Sequence, residues 1–169
     1  MLFPMVNMDR IELADANRCL RIWGHRMGEL NRPANYGKTW CHGLFHEGQL
    51  VAVATASTLI RETVGGVRGR TRDNTVELSR LCASSPHLNR VILRLWREFV
   101  FPALGFPWTI SYQDSVLHRG ELYRHDGWQR FPLKSRSGTD QRSGRKGRSK
   151  WIWGWPVDLN LRATTDKRL

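Results

Sequence analysis

The step from a strand straight into a long amphipathic helix narrows the fold more than any other feature of this sequence. Residues 76–83 set Val76, Leu78, Arg80 and Cys82 against Glu77, Ser79 and Leu81, a period-two alternation that fits a strand although its inward face is mixed. Ser84-Ser85-Pro86 follows with no spacer. A serine oxygen can accept from the free amides of a first helical turn, and proline at the first helical position gives up a hydrogen that has no partner there. Leu88, Val91, Ile92, Leu95, Trp96 and Phe99 then recur at helical spacing, with Arg90, Arg94 and Arg97 off that stripe and Pro102 beyond it. A helix over 84–101 with one apolar stripe, joined directly to a strand, needs a sheet to cover. That is the layered logic of an α/β domain.

The remaining periodicities supply the rest of those layers. Ala16, Cys19, Leu20, Trp23 and Met27 predict a first helix over 13–27, ending near Gly28. Residues 31–38, with Pro33, Asn35 and Gly37, read as a loop, and 39–45 and 50–60 read as hairpin strands about Glu47-Gly48. Residues 108–112 predict a short buried strand, 116–125 a brief helix closed by Gly127, and 151–157 a last strand. This order predicts one α/β domain over 1–169, a mixed central sheet flanked by helices, with a basic loop at 134–150 and a short tail at 159–169. A chain of 169 residues, 40% apolar and with eight Trp, has the material for one core. No apolar run approaches the about 20 residues of a membrane span, and the first ten residues lack a basic-then-apolar export pattern, so a soluble cytoplasmic protein is expected. Cys19, Cys41 and Cys82 are odd in number and widely spaced, which suits reduced structural thiols.

Charge points to the partner. Lys and Arg number 27 against 15 Asp and Glu, a net +12. Within 134–150, Lys134, Arg136, Arg142, Arg145, Lys146, Arg148 and Lys150 face one acid, Asp140, among glycines and serines with no apolar residue. Such a stretch cannot bury itself, and it suits a mobile loop that moulds onto phosphates. Arg68, Arg70 and Arg72 form a second basic patch in the Gly-rich segment 65–73. Double-stranded DNA is the favoured polyanion, because neither segment has the apolar face that a membrane-surface helix requires. The oligomeric state is left open, a homodimer included.

Two places carry chemistry. The strand-to-helix turn at 83–87 aims free amides at whatever lies beyond the strand end, where a pyrophosphate can sit. Asp114, His118 and Tyr123 gather titratable groups within ten residues, and a phenol is a suitable acid for a departing thiolate. His42 and His46 share one face of a hairpin strand, yet no carboxylate or thiol at ligand spacing completes a zinc set. No Ser-His-Asp order, Walker loop or dinucleotide glycine fingerprint is present.

The order of elements resembles the GNAT acyltransferase superfamily. Within it, Glu77-Leu78-Ser79-Arg80-Leu81-Cys82, Ser111-Tyr112-x-Asp114 and His118-x-Gly120-x-x-Tyr123-x-x-x-x-Trp128 resemble the Mom group of phage DNA-modification proteins. The likeness runs from Ile11 to about Val157 and takes in Trp23-x-His25, Gly37-Lys38 and Arg136-Ser137-Gly138. It implies a transferase in the cytoplasm of a bacterial host that adds an acyl-type, carbamoylmethyl-like group to adenine N6 in DNA and shields it from restriction. It further implies that Tyr123 protonates the leaving group, that Asp114 and Ser111 line the site, and that His25 and Arg80 meet the substrate. Leu81, Cys82, Ala83, Asn89 and Arg90 would hold acetyl-CoA or a related acyl donor, and iron is an implied cofactor with His25 as ligand. The adenine would have to be flipped out, with Trp128 or Trp40 as a stacking partner. The turn Ala83-Ser84-Ser85-Pro86-His87 departs from the usual pyrophosphate loop in having no glycine. Two other readings stay open: an N-acyltransferase acting on a protein or small-molecule amine, and a non-catalytic nucleic-acid-binding protein on the same fold.

Overall fold

The computed structural model describes residues 5–31, 37–64, 67–135 and 149–157. Seven strands form one sheet, in the order β1-β2-β3-β4-β5-β7-β6: β1 Val6–Arg10, β2 Thr39–His46, β3 Gln49–Thr58, β4 Thr75–Ala83, β5 Trp108–Asp114, β6 Gln129–Ser135 and β7 Lys150–Pro156. Every neighbouring pair is antiparallel except β4 and β5, which run parallel. Helix α1 (Leu13–Ile22) packs on β2 and β3. Helix α2 (Leu88–Leu95), a π-turn at Trp96–Val100 and the short α3 (Phe101–Ala103) follow β4 and cover the core. Helix α4 (Glu121–His125) lies between β5 and β6. The expected α/β architecture with a mixed sheet is the one observed.

Four elements, α1, α4, β1 and β6, differ from expectation. Helix α1 stops at Ile22, because Gly24 takes φ +65° and the His25 amide turns back to the Leu20 carbonyl at 2.8 Å, so His25 follows the helix. The helix expected over 116–125 is a turn followed by the five residues of α4, entered through Gly120 at φ +77°. Strands β1 and β6 were not foreseen as strands; β1 is an edge strand exposed along most of its length, so burial leaves no pattern to read.

The helix after β4 carries the largest correction. Arg97 lies inside, 7% exposed, while Phe99 is 71% exposed and Val91 40%. The widened π-turn adds a residue to one helical turn and rotates the residues beyond it by about 100°. Trp96 is therefore matched by Phe101 rather than Phe99: both are fully buried, and their rings stack at 5.8 Å. Beneath them Ala52, Ala54 and Ala56 of β3 leave room for the large rings.

The opposite face of the sheet is covered by α1 and by the excursion between β3 and β4. In that excursion Thr63 bridges Thr71, and Val64 and Val67 pack with Leu59 on Trp108, Ile110, Phe131 and Ile152. The Gly- and Arg-rich segment thus contributes a small apolar cluster rather than a purely solvated loop.

Trp96→Ala is expected to lower the unfolding free energy by about 3–5 kcal/mol in urea titration, since a fully buried indole leaves a cavity. Phe99→Ala, at the stripe position the π-turn expels, is expected to change it by less than about 0.5 kcal/mol.

Candidate active site

The site forms where the sheet comes apart. Only Thr75, Val76 and Glu77 of β4 pair with β5, opposite Trp108, Thr109 and Ile110; beyond them the two strands are unpaired with each other. In the same place the register between β3 and β4 passes from Thr55 opposite Arg80 to Ala56 opposite Leu78. Ser79 is the extra residue, a β-bulge whose hydroxyl hydrogen-bonds that of Ser57. A bulge turns backbone groups out of the ladder.

Ser111 of β5 spans that opening. Its Oγ donates to the Leu78 carbonyl at 3.0 Å and lies 2.7 Å from the Tyr123 hydroxyl of α4. A serine has one hydrogen to give, so the phenol is the donor to Ser111. Tyr123 is walled by Trp128, edge-on at 5.3 Å, and Trp153, stacked at 5.7 Å. Burial pushes its pKa up, so the phenol is held protonated. Trp153 Nε1 donates to Gln113 Oε1 at 2.6 Å. Gly120 must be glycine: a Cβ there would clash with the Trp153 ring, and its φ of +77° is left-handed.

His25, Arg80 and His118 meet nearby. Arg80 donates through Nε to the Gly28 carbonyl at 3.2 Å and through Nη1 to the Ser79 carbonyl at 2.8 Å, tying the loop after α1 to the bulge. His25 Nδ1 accepts from the Met27 amide at 3.2 Å. Burial, with the positive charge of Arg80 and then His118 added, holds the His25 pKa down to about 4. Asp114 Oδ1 accepts from the amides of Val116 and Leu117 at 3.0 and 3.2 Å, which places it as the cap of the turn leaving β5.

The residues expected at an acyl donor lie along the open side of β4 and the start of α2. Leu81 and Ala83 pack toward the α2 core, and the Cys82 thiol is buried with Cys19, Leu20 and Val53, so these three can serve a donor through their backbone. Among the described residues Asn89 Oδ1 is buried without a hydrogen-bond partner, an acceptor in the first turn of α2, and Arg90 beside it is exposed. The helix start differs from expectation: α2 begins at Leu88 with no side-chain cap, Ser85 Oγ pairs with His87 Nδ1 at 2.9 Å, and the amides of Leu88, Asn89 and Arg90 already donate to Ser85, Pro86 and His87 carbonyls. An extended, amide-bearing donor fits the strand edge and Asn89 better than a tight phosphate nest fits this helix end. Among the described residues no three His, Cys, Asp or Glu side chains come close enough to hold a metal ion together, so iron ligation by His25 gains no partner set.

The basic patches are divided. Arg68 is exposed, whereas the Arg70 guanidinium lies 3.4 Å from the centre of the Trp108 ring, and Arg72 donates to the Leu59 and Ile60 carbonyls and pairs with Glu62 at 2.8 Å. Lys150 sits on β7 with its ammonium 5.7 Å from the Tyr112 ring, and Lys134 lies on β6. Arg136, Arg145, Lys146 and Arg148, and the tail at 159–169, lie outside the described residues. Trp128 is 4% exposed with its indole N–H on Asp126, so it is not placed to stack on a base, and Trp40 packs edge-on to Phe106. Sequence reasoning missed Gln113, Trp153, Arg97 and Asp126; the spacing of Ser111 and Gln113 on one strand face was the available signal for the first of these.

No family profile and no curated protein matches the sequence. Solved structures do match its fold. A spermidine N-acetyltransferase from Vibrio cholerae superposes with a TM-score of 0.62 at 9% identity, over 94% of this chain and 98% of that one. An acetyltransferase of Bacillus subtilis in complex with CoA gives 0.59 at 11%, over 92% and 100%. A GNAT-family acetyltransferase from Desulfovibrio desulfuricans gives 0.58 at 13%, over 91% and 100%. The chain has the GNAT fold.

His25 makes acid stability testable. Its folded pKa lies below the ordinary 6.5, so the unfolded chain binds the proton first as pH falls, and the stability His25 confers above pH 6.5 is lost progressively down to about pH 4. His25→Gln is expected to flatten the loss of urea stability across that window.

Proposed function

We propose that this chain transfers an acyl group from a CoA-type thioester to an amine, with Tyr123 as the acid that protonates the departing thiolate. The observation that carries the reading is the protonated, buried Tyr123 hydroxyl 2.7 Å from Ser111 in the opening between β4 and β5. The fold likeness to an acetyltransferase in complex with CoA supports it.

A bound acyl-CoA supplies the thioester: the amine nitrogen forms a bond to its carbonyl carbon and the carbon–sulfur bond breaks. This chain's residues do the rest. The open edge of β4 and Asn89 hold the donor, and the bulge at Ser79 brings backbone groups to the reacting carbonyl. Tyr123 gives its proton to the thiolate, the proton that the acylated nitrogen releases restores the phenol, and Ser111 holds the restored phenol. His25 is uncharged above about pH 4, so it adds no positive charge to that of Arg80 where the acceptor would be met.

A second reading names the acceptor as adenine N6 in duplex DNA, the modification acting against restriction. The net +12 and the concentration of Lys and Arg at 134–150 favour it, together with the resemblance of the segments around Glu77, Ser111 and Tyr123 to the Mom group. Arg68 and the basic segment are then the groups that meet phosphate.

Purified protein is to be given acetyl-CoA with a panel of polyamines, peptides and duplex DNA, following free CoA and the masses of digested nucleosides. Wild type is expected to release CoA with one acceptor, and Tyr123→Phe to lower kcat by about 10²–10⁴-fold with donor affinity unchanged. An adenosine-derived product establishes the DNA reading, and an acylated amine elsewhere establishes the broader one alone. Undiminished turnover in Tyr123→Phe removes the assigned acid.

A further inference from the structure

The buried charge pair behind Tyr123 takes no part in the binding or chemistry assigned to the site, and its placement is specific. Arg97, brought inward beside Leu93 in the helix that follows β4, donates through Nε and Nη2 to Asp126 at 2.7 and 3.2 Å and through Nη1 to Glu98 at 2.8 Å. The side chains of Arg97 and Asp126 are 7% and 9% exposed. The Arg97 guanidinium lies 4.1 Å from the Trp155 ring centre, and Trp155 in turn touches Trp128. Asp126 closes α4, and the Asp126 oxygen nearer to Arg97 Nε also accepts the Trp128 indole N–H at 3.0 Å. Trp128 is the ring that stands edge-on to Tyr123, and its amide donates to the Tyr123 carbonyl at 2.9 Å.

We infer that Arg97 and Asp126 are positioning residues that hold the Tyr123 hydroxyl on Ser111. Helix α4 has five residues, far below the about 12 at which a helix persists unaided, so its orientation is set by what grips its ends. Gly120 grips one end against Trp153, and Asp126 grips the other through Arg97. Between these anchors the phenol has one polar outlet, Ser111. An apolar contact could fill the same space; a two-point Arg–carboxylate fork also fixes the angle of the turn. The inference rests on Tyr123 being the acid of acyl transfer.

The test separates placement from folding. Asp126→Asn leaves the buried Arg97 charge with the half-exposed Glu98 as its counter-ion, and this variant can fail to fold. The companion is a double variant, Arg97→Met with Asp126→Asn, which removes both charges, keeps the volume and leaves an amide oxygen at position 126 to accept the Trp128 indole N–H. The double variant is expected to match wild type in urea midpoint and in KM for acetyl-CoA, to lose about tenfold to a hundredfold in kcat, and to move the alkaline limb of its pH–rate profile to lower pH as the loosened phenol meets water. A wild-type kcat and pH profile in the double variant would show the pair to be a structural strut and overturn the inference. A readout that needs no turnover accompanies it: tyrosinate absorbance against pH, taken with and without Tyr123→Phe in each background, isolates the Tyr123 titration. If wild type transfers no acyl group to any acceptor, the acyl-transfer reading fails, while a lowered Tyr123 titration in the double variant still reports that the pair fixes the phenol, and an unmoved one reports that it does not.

Discussion

Three residues of parallel pairing between β4 and β5, and no more, set the terms for everything around them. Were the ladder to continue, the Leu78 carbonyl would be taken by a β5 amide and no side chain could lie between the strands. Because it stops, that carbonyl needs another donor, since an unpaired buried carbonyl carries a penalty of about 1–3 kcal/mol. The Ser111 hydroxyl fills that need and becomes the acceptor for Tyr123. The gap, the serine and the phenol are one arrangement.

An opening in a sheet closes unless each face resists. On one face the resistance is bulk and charge: the Trp96–Phe101 stack and the Arg97–Asp126 fork hold the helix after β4 against α4 and β7. On the other it is tethering: Arg80 ties the bulge to the loop after α1, and the cluster of Leu59, Val64 and Val67 seats the β3–β4 excursion on Trp108 and Ile110. The bulge at Ser79 absorbs the curvature between them.

The architecture was legible because it rests on contrasts of period. The stripe from Leu88 to Trp96 and the strands read at 39–45, 50–60 and 151–157 survive into the structure, and so does the order of elements that resembles GNAT proteins. What was hidden depends on one-residue irregularities and on pairings distant in sequence. The π-turn exchanges Phe99 for Phe101 while the hydrophobic count stays the same, so no periodicity argument detects it. Arg97 reads as solvent-facing until Asp126, 29 positions on, is brought to it. Tyr123 was legible as chemistry because a phenol stood near titratable neighbours, and Ser111 through the resemblance to the Mom group. The true neighbour of each was the other, through a strand register that sequence alone does not give. The Asp114 carboxylate illustrates the converse, since its short-range turn bonds take up one of the oxygens that its residue type suggested for chemistry.

The π-turn also gives the helix a fixed length in the sense of a reading frame. Removing any one residue from Trp96–Val100 would let the backbone relax to an unbroken α-helix with every apolar residue still available. The result would pass most tests of helical quality. Yet each side chain downstream would face a direction about 100° away, sending Phe101 toward solvent and carrying the chain into β5 from a different angle. Surface loops tolerate changes in length; here an insertion or deletion inside a well-formed helix, remote in sequence from Tyr123, is the lesion to which this fold is least forgiving.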